Sequence, residues 1–140
     1  MAFHPYLNFD GTCREALTWY HQVFGGDLTV LGAGDVPGDG AGPDFGDRVI
    51  HAALVLPDGG LLMASDTAPD HHPVPQGLYV NATFATPEEA TSAWEQLSAG
   101  AASVEMPLAA TFFSPAFGVC VDRYGTPWMV SAADPDRPQP

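Results

Sequence analysis

Residues 12–26 read TCREALTWYHQVFGG, and residues 86–100 read TPEEATSAWEQLSAG. The second stretch repeats the first at a constant offset of 74 residues: Thr12 matches Thr86, Glu15 matches Glu89, Ala16 matches Ala90 and Gln22 matches Gln96. Tyr20 corresponds to Trp94, and Val23 to Leu97. Both stretches open with the signature of a capping box. A threonine at N-cap accepts from the N3 amide, and a glutamate at N3 reaches back to the N-cap amide. Pro87 suits a first helical position. Apolar residues then recur at helical spacing, Ala16, Tyr20, Val23 and Phe24 in one stretch and Ala90, Ala93, Trp94 and Leu97 in the other. Glycines stop each helix: Gly25 and Gly26, then Gly100.

Strands flank both helices. PYLNF precedes the first, and DLTVLG, VIHAALVL and GLLMAS follow it. LYVNATF precedes the second, and SVEMPLA, FGVCV and TPWMVSA follow. Pro57-Asp58-Gly59-Gly60 and Asp122-Arg123-Tyr124-Gly125 read as hairpin turns. Each half is therefore strand, helix, three strands. A βαβββ half cannot cover both faces of its own sheet. The expected fold is α+β, with two such modules paired around a cleft and helices on the outer faces. The expected organisation is a single domain over residues 1–133, with modules at about 1–66 and 78–133 and a proline-rich polar linker at 67–77. Residues 134–140 are expected to form a disordered tail.

Composition removes several functional classes. The 140 residues carry a net charge of −13, with 17 acids against four arginines and no lysine. Phosphate backbones and anionic lipid surfaces select basic patches, so neither nucleic acid nor a membrane surface is an expected partner. No apolar run approaches membrane-spanning length. The start, MAFHPYLNFDG, has no signal-peptide pattern. Cys13 and Cys120 lie far apart and read as reduced thiols, so the expected location is the cytoplasm. A place at a helix N-terminus would lower the pKa of Cys13 somewhat.

Strand alternation sorts the remaining side chains. In the third strand Ile50, Ala52, Leu54 and Leu56 should lie under the helix, and Val49, His51, Ala53 and Val55 should face the cleft. Leu7 and Phe9 go under the first helix, leaving His4, Tyr6 and Asn8. Val80, Ala82 and Phe84 go under the second, leaving Tyr79, Asn81 and Thr83. Met63, Ser65, Met129 and Ser131 share the cleft side, with methionine giving soft, adaptable contacts. Phe112 and Phe113 are placed to close one end. The expected ligand pocket is thus Tyr6, Asn8, His51, Met63, Ser65, Tyr79, Asn81, Phe112, Phe113 and Met129. His51 has three readings: a satisfied interior histidine, a polar pocket contact or catalytic base, and a metal ligand. The adjacent His71 and His72 in the linker read as solvated, as a dimer contact or as a surface metal trap. Asp35, Asp39, Asp44 and Asp47 are not spaced as a calcium loop. The loop at 33–47 reads as a flap or a solvated connector.

YLNFDGTCREALTWYHQVFGG, HAALVL, LLMASD, EMPLAATFF and FGVCVDRYGTPWMV together resemble the PhnB-like branch of the vicinal oxygen chelate superfamily. That superfamily includes glyoxalase I, fosfomycin-resistance enzymes, extradiol dioxygenases and bleomycin-resistance proteins. The resemblance runs from Pro5 to Ser131, with GTPWM its most specific block. It implies the paired βαβββ architecture and a homodimer. It also implies that metal-using members take His or Glu ligands from cleft-facing positions on four strands. Here those positions offer His4, Tyr6 or Asn8; His51 or Ala53; Tyr79 or Asn81; and Met129 in place of the usual closing acid. Ala109-Ala110 stands where relatives often carry a Gln-acid pair, and Glu105 is the nearest remaining carboxylate. Three functions are compatible with this pattern. The protein binds a small apolar or aromatic molecule without a complete metal-ligand set; or it is a glyoxalase- or dioxygenase-type enzyme with a divalent metal, using His51 as ligand or base, of which a metal-free isomerase or lyase is a variant; or it is a structural dimer with a vestigial cleft.

Overall fold

The 74-residue offset becomes two units with the same element order. A computed structural model describes residues 1–38, 42 and 44–137. The chain divides into Met1–Val74 and Pro75–Pro140. The first unit contains β1 (Tyr6–Phe9), α1 (Cys13–Phe24), β2 (Asp27–Gly32), β3 (Val49–Val55) and β4 (Leu61–Asp66). The second contains β5 (Val80–Phe84), α2 (Pro87–Ser98), β6 (Ser103–Ala109), β7 (Phe117–Val121) and β8 (Pro127–Ala132). The sheets have equivalent orders, β1-β4-β3-β2 and β5-β8-β7-β6. In each, the first strand runs parallel to the last, and all other pairs are antiparallel. The fold is α+β, two mixed four-stranded sheets with one helix each.

Each helix covers one face of its own sheet. In the first unit Cys13, Ala16, Leu17 and Tyr20 are buried with Phe9, Ala52, Leu54, Leu62 and Ala64. In the second, Ala90, Ala93 and Leu97 are buried with Cys120, Trp128 and Val130. Full burial of each leucine contributes about 1.5–3 kcal/mol. α2 approaches its sheet tightly at Gly118, since a Cβ there would sit 2.7 Å from the Trp94 ring. The β7–β8 turn explains the DRYGTPW block. Buried Asp122 accepts from the amides of Tyr124 and Thr126 at 2.8 and 3.0 Å, and from the Trp128 indole N–H at 2.8 Å.

Two local expectations are corrected. The second helix has its capping box, with Glu89 N donating to Thr86 Oγ1 at 3.2 Å and Thr86 N donating to Glu89 Oε2 at 3.3 Å. The first does not: Thr12 makes no side-chain cap. Asp66 at the end of β4 replaces it, accepting from the amides of Gly11 at 2.8 Å and Cys13 at 3.0 Å. Its other oxygen accepts from Val49 N at 2.8 Å. The second correction is Val49, which is buried rather than on the face of His51. The β2–β3 register slips between Leu31, paired with His51, and Gly32, paired with Val49. This bulge inserts Ile50 as an extra residue, so Val49 turns to the side of Ala52 and Leu54.

Residues 67–77 contain no helix or strand. Within the 33–47 loop Asp35 folds back, its Oδ2 accepting from Gly32 N at 2.8 Å; Asp39 lies outside the described residues. Of the expected tail, residues 134–137 form a turn in which Arg137 donates to the carbonyl of Phe112, and residues 138–140 lie outside the described residues. No helix among the described residues is long and apolar enough to cross a membrane.

Candidate functional site

With a helix on one face of each sheet, the other face is helix-free. On the first sheet it carries Tyr6 and Asn8 from β1, Met63 and Ser65 from β4, and His51 and Ala53 from β3. The register sets these neighbours: Tyr6 and Ala53 both pair with Met63, and Asn8 pairs with Ser65. Tyr6 reaches over β4 to His51, with Oη 3.0 Å from Nδ1 and the rings 5.8 Å apart at 33°. Ser65 Oγ lies 3.5 Å from Asn8 Oδ1. Two arrangements satisfy the phenol–imidazole pair. Either Tyr6 donates to Nδ1 and the ring proton sits on Nε2, or Nδ1–H donates to Oη and Nε2 keeps its lone pair. Among the described residues no hydrogen bond engages Nε2.

On the second sheet the helix-free face holds a polar string. Asn81 Nδ2 donates to Thr83 Oγ1 at 3.1 Å, and Thr83 Oγ1 lies 3.1 Å from Ser131 Oγ. Met129 pairs with Asn81 on one side and Val119 on the other. Phe112 meets Phe113 edge-on at 5.1 Å, and Phe113 meets Phe117 at 4.9 Å. At the edge Tyr79 donates from Oη to Glu105 Oε2 at 2.7 Å. That bond, and the nearby carboxylate charge, raise the Tyr79 pKa above the usual phenol value.

The expected pocket residues thus fall into separate groups: Tyr6 with His51, Asn8 with Ser65, Asn81 with Thr83 and Ser131, and the phenylalanines. Two participants were not placed by the sequence: Glu105, named there only as a remaining carboxylate, and Phe117. Glu105 had no assigned place, because β6 bulges between Val104 and Met106 and simple alternation fails there. Phe117 was signalled by alternation around Gly118, which faces Trp94 and so turns Phe117 to the helix-free side.

The thiols do not join the site. Cys13 is fully buried, and burial, reinforced by the Asp66 charge, pushes it up to about 12 rather than down. Burial likewise pushes Cys120 up to about 11. Desolvation outweighs the helix terminus. No group of three or more His, Cys, Asp or Glu side chains among the described residues is arranged to hold a metal ion. On the first face His51 is accompanied by a phenol, an amide and a hydroxyl, which are weak ligands for a divalent ion. That face by itself supplies one strong donor, His51.

The chain matches the Glyoxalase/Bleomycin resistance protein/Dioxygenase superfamily over residues 2–130 and belongs to that family. Its likeness is to PhnB-like members. It is 38% identical to protein PA1353 from Pseudomonas aeruginosa, with a TM-score of 0.84 over 94% of this chain and 97% of that one. The PhnB protein from Bacillus cereus is 27% identical, with a TM-score of 0.76 over 95% of this chain and all of its own. Protein YjdN from Escherichia coli K12 is 29% identical, covering 94% of this chain and 95% of that protein.

Proposed function

We propose that the protein binds a small apolar or aromatic molecule on the helix-free faces of its sheets, with Tyr6 and His51 as the polar anchor on the first. The 3.0 Å contact between these two side chains carries the reading. It fixes a hydrogen-bonding group beside Met63, Ala53 and the exposed Leu31, and a few fixed polar groups on an apolar wall are the usual make-up of a small-molecule site. The same proposal takes the working form as a cytoplasmic homodimer.

A second reading draws on the same contact: a metal-free isomerase or lyase in which Tyr6 orients His51 through Nδ1 and Nε2 serves as general base. Titration of fluorescent aromatic alcohols into wild type, His51→Ala and Tyr6→Phe tests the binding reading. Saturable binding that weakens several-fold in both variants, with unchanged melting temperatures, supports it. Lack of saturable binding by any of the alcohols overturns it. Elemental analysis of untagged wild type and His51→Ala tests the metal-using version. About one divalent ion per chain, lost in the variant, would restore it.

A further inference from the structure

Tyr79 stands immediately before β5, on one edge of the second sheet, and Glu105 lies on β6, the other edge. Three strand spacings, about 14 Å in a flat sheet, separate those edges. The 2.7 Å hydrogen bond between the two side chains ties one edge of the sheet to the other. β6 carries two register shifts, and bulges of this kind bend the strand that holds them. A carboxylate is thus held in place by a side chain from the opposite edge. Met106 follows Glu105 in sequence and pairs with Val119, which pairs with Met129. Two residues further along β7, roughly 7 Å at strand rise, Phe117 begins the aromatic cluster with Phe113.

The charge here is uncompensated. No arginine or histidine forms an ion pair with Glu105 among the described residues, and the whole chain has four arginines and no lysine against 17 acids. The Tyr79 hydroxyl occupies only Oε2 and holds the carboxylate in place, which lowers the ordering cost of recruiting a counter-charge. Aromatic rings and thioethers on the same sheet as a fixed anion favour a cation on an apolar body over an anion.

We propose that this face selects an organic cation, an amine or quaternary ammonium on an aromatic or apolar body, with Glu105 as its counter-charge. The inference rests on the small-molecule reading above and names the class of ligand.

The test uses three probes sharing one body: naphthylmethyl-trimethylammonium, naphthylmethanol and naphthylmethanesulfonate, titrated by fluorescence at about 0.15 M salt, where long-range attraction to the acidic chain is screened. Wild type should prefer the cation to the alcohol by about tenfold, equivalent to about 1.4 kcal/mol. Glu105→Gln should abolish that preference while alcohol binding stays within about twofold, which also shows that the variant is folded. Glu95→Gln on the exposed side of α2 should retain the preference. Equal affinity for cation and alcohol in wild type, or a preference that survives in Glu105→Gln, overturns the inference and leaves the small-molecule reading standing. Absence of binding by all three probes overturns both.

Discussion

The carboxylate of Asp66 accepts from the backbone amide of Cys13 at 3.0 Å, so the last residue of β4 caps the first residue of α1 across 53 positions of sequence. The same side chain serves Gly11 and Val49. Asp66→Ala leaves three amides without their acceptor. Each buried unsatisfied group costs about 1–3 kcal/mol, so the variant should lose about 3 kcal/mol or more in urea unfolding, and Asp66→Asn an intermediate amount. A loss below about 1 kcal/mol in the alanine variant would show that the carboxylate is dispensable.

Gly118 meets the six-membered ring of Trp94, with no room for a methyl group. Gly118→Ala should cost about 1–3 kcal/mol by overpacking. Combining it with Trp94→Leu should cost less than the sum of the single changes, because the clash disappears with the ring. Strict additivity in thermal unfolding would contradict the packing argument.

Burial pushes both thiols above their ordinary value, Cys120 to about 11 and Cys13 to about 12. Their protonated forms are favoured by folding. The associated stability is complete below the ordinary thiol pKa and is lost as pH rises through the raised values. Native protein near pH 8 should therefore react with a thiol-specific disulfide reagent only at the rate of opening, and both thiols should react at once in denaturant. Rapid native labelling of Cys13 would place its sulfur at the surface.

The phenol of Tyr79 is held protonated by donation to Glu105. A raised value again means that the hydrogen bond's contribution is present below the ordinary phenol pKa and fades as pH climbs through the higher one. Ultraviolet titration of tyrosinate should show one residue whose transition falls toward the ordinary value in Glu105→Gln and vanishes in Tyr79→Phe. An identical titration in wild type and Glu105→Gln would remove the interaction.

The internal repeat made the architecture legible, because helical spacing, turn residues and strand length are local signals. DLTVLG, SVEMPLA and FGVCV became β2, β6 and β7 with the expected bounds. Alternation also put Tyr6, Asn8, His51, Asn81 and Met129 on helix-free faces. What stayed hidden was set by register and by distant partners. Thr12 and Glu15 look like a capping box as well as Thr86 and Glu89 do, and only the arrival of β4 decides that Asp66 does the capping. The bulges that bury Val49 and free Glu105 depend on the neighbouring strand and leave no mark in a single strand's pattern.

The two helices consequently differ in when they can become stable. All of the signals that start α2 lie within four residues, from Thr86 to Glu89, and they operate before any sheet exists. The start of α1 waits for a residue that enters the chain after β2, β3 and the loop between them. Closing so long a loop is slow relative to helix initiation. As the chain is synthesised the first unit emerges first, yet its helix gains a fixed beginning only when Asp66 has arrived and β4 has zipped between β1 and β3.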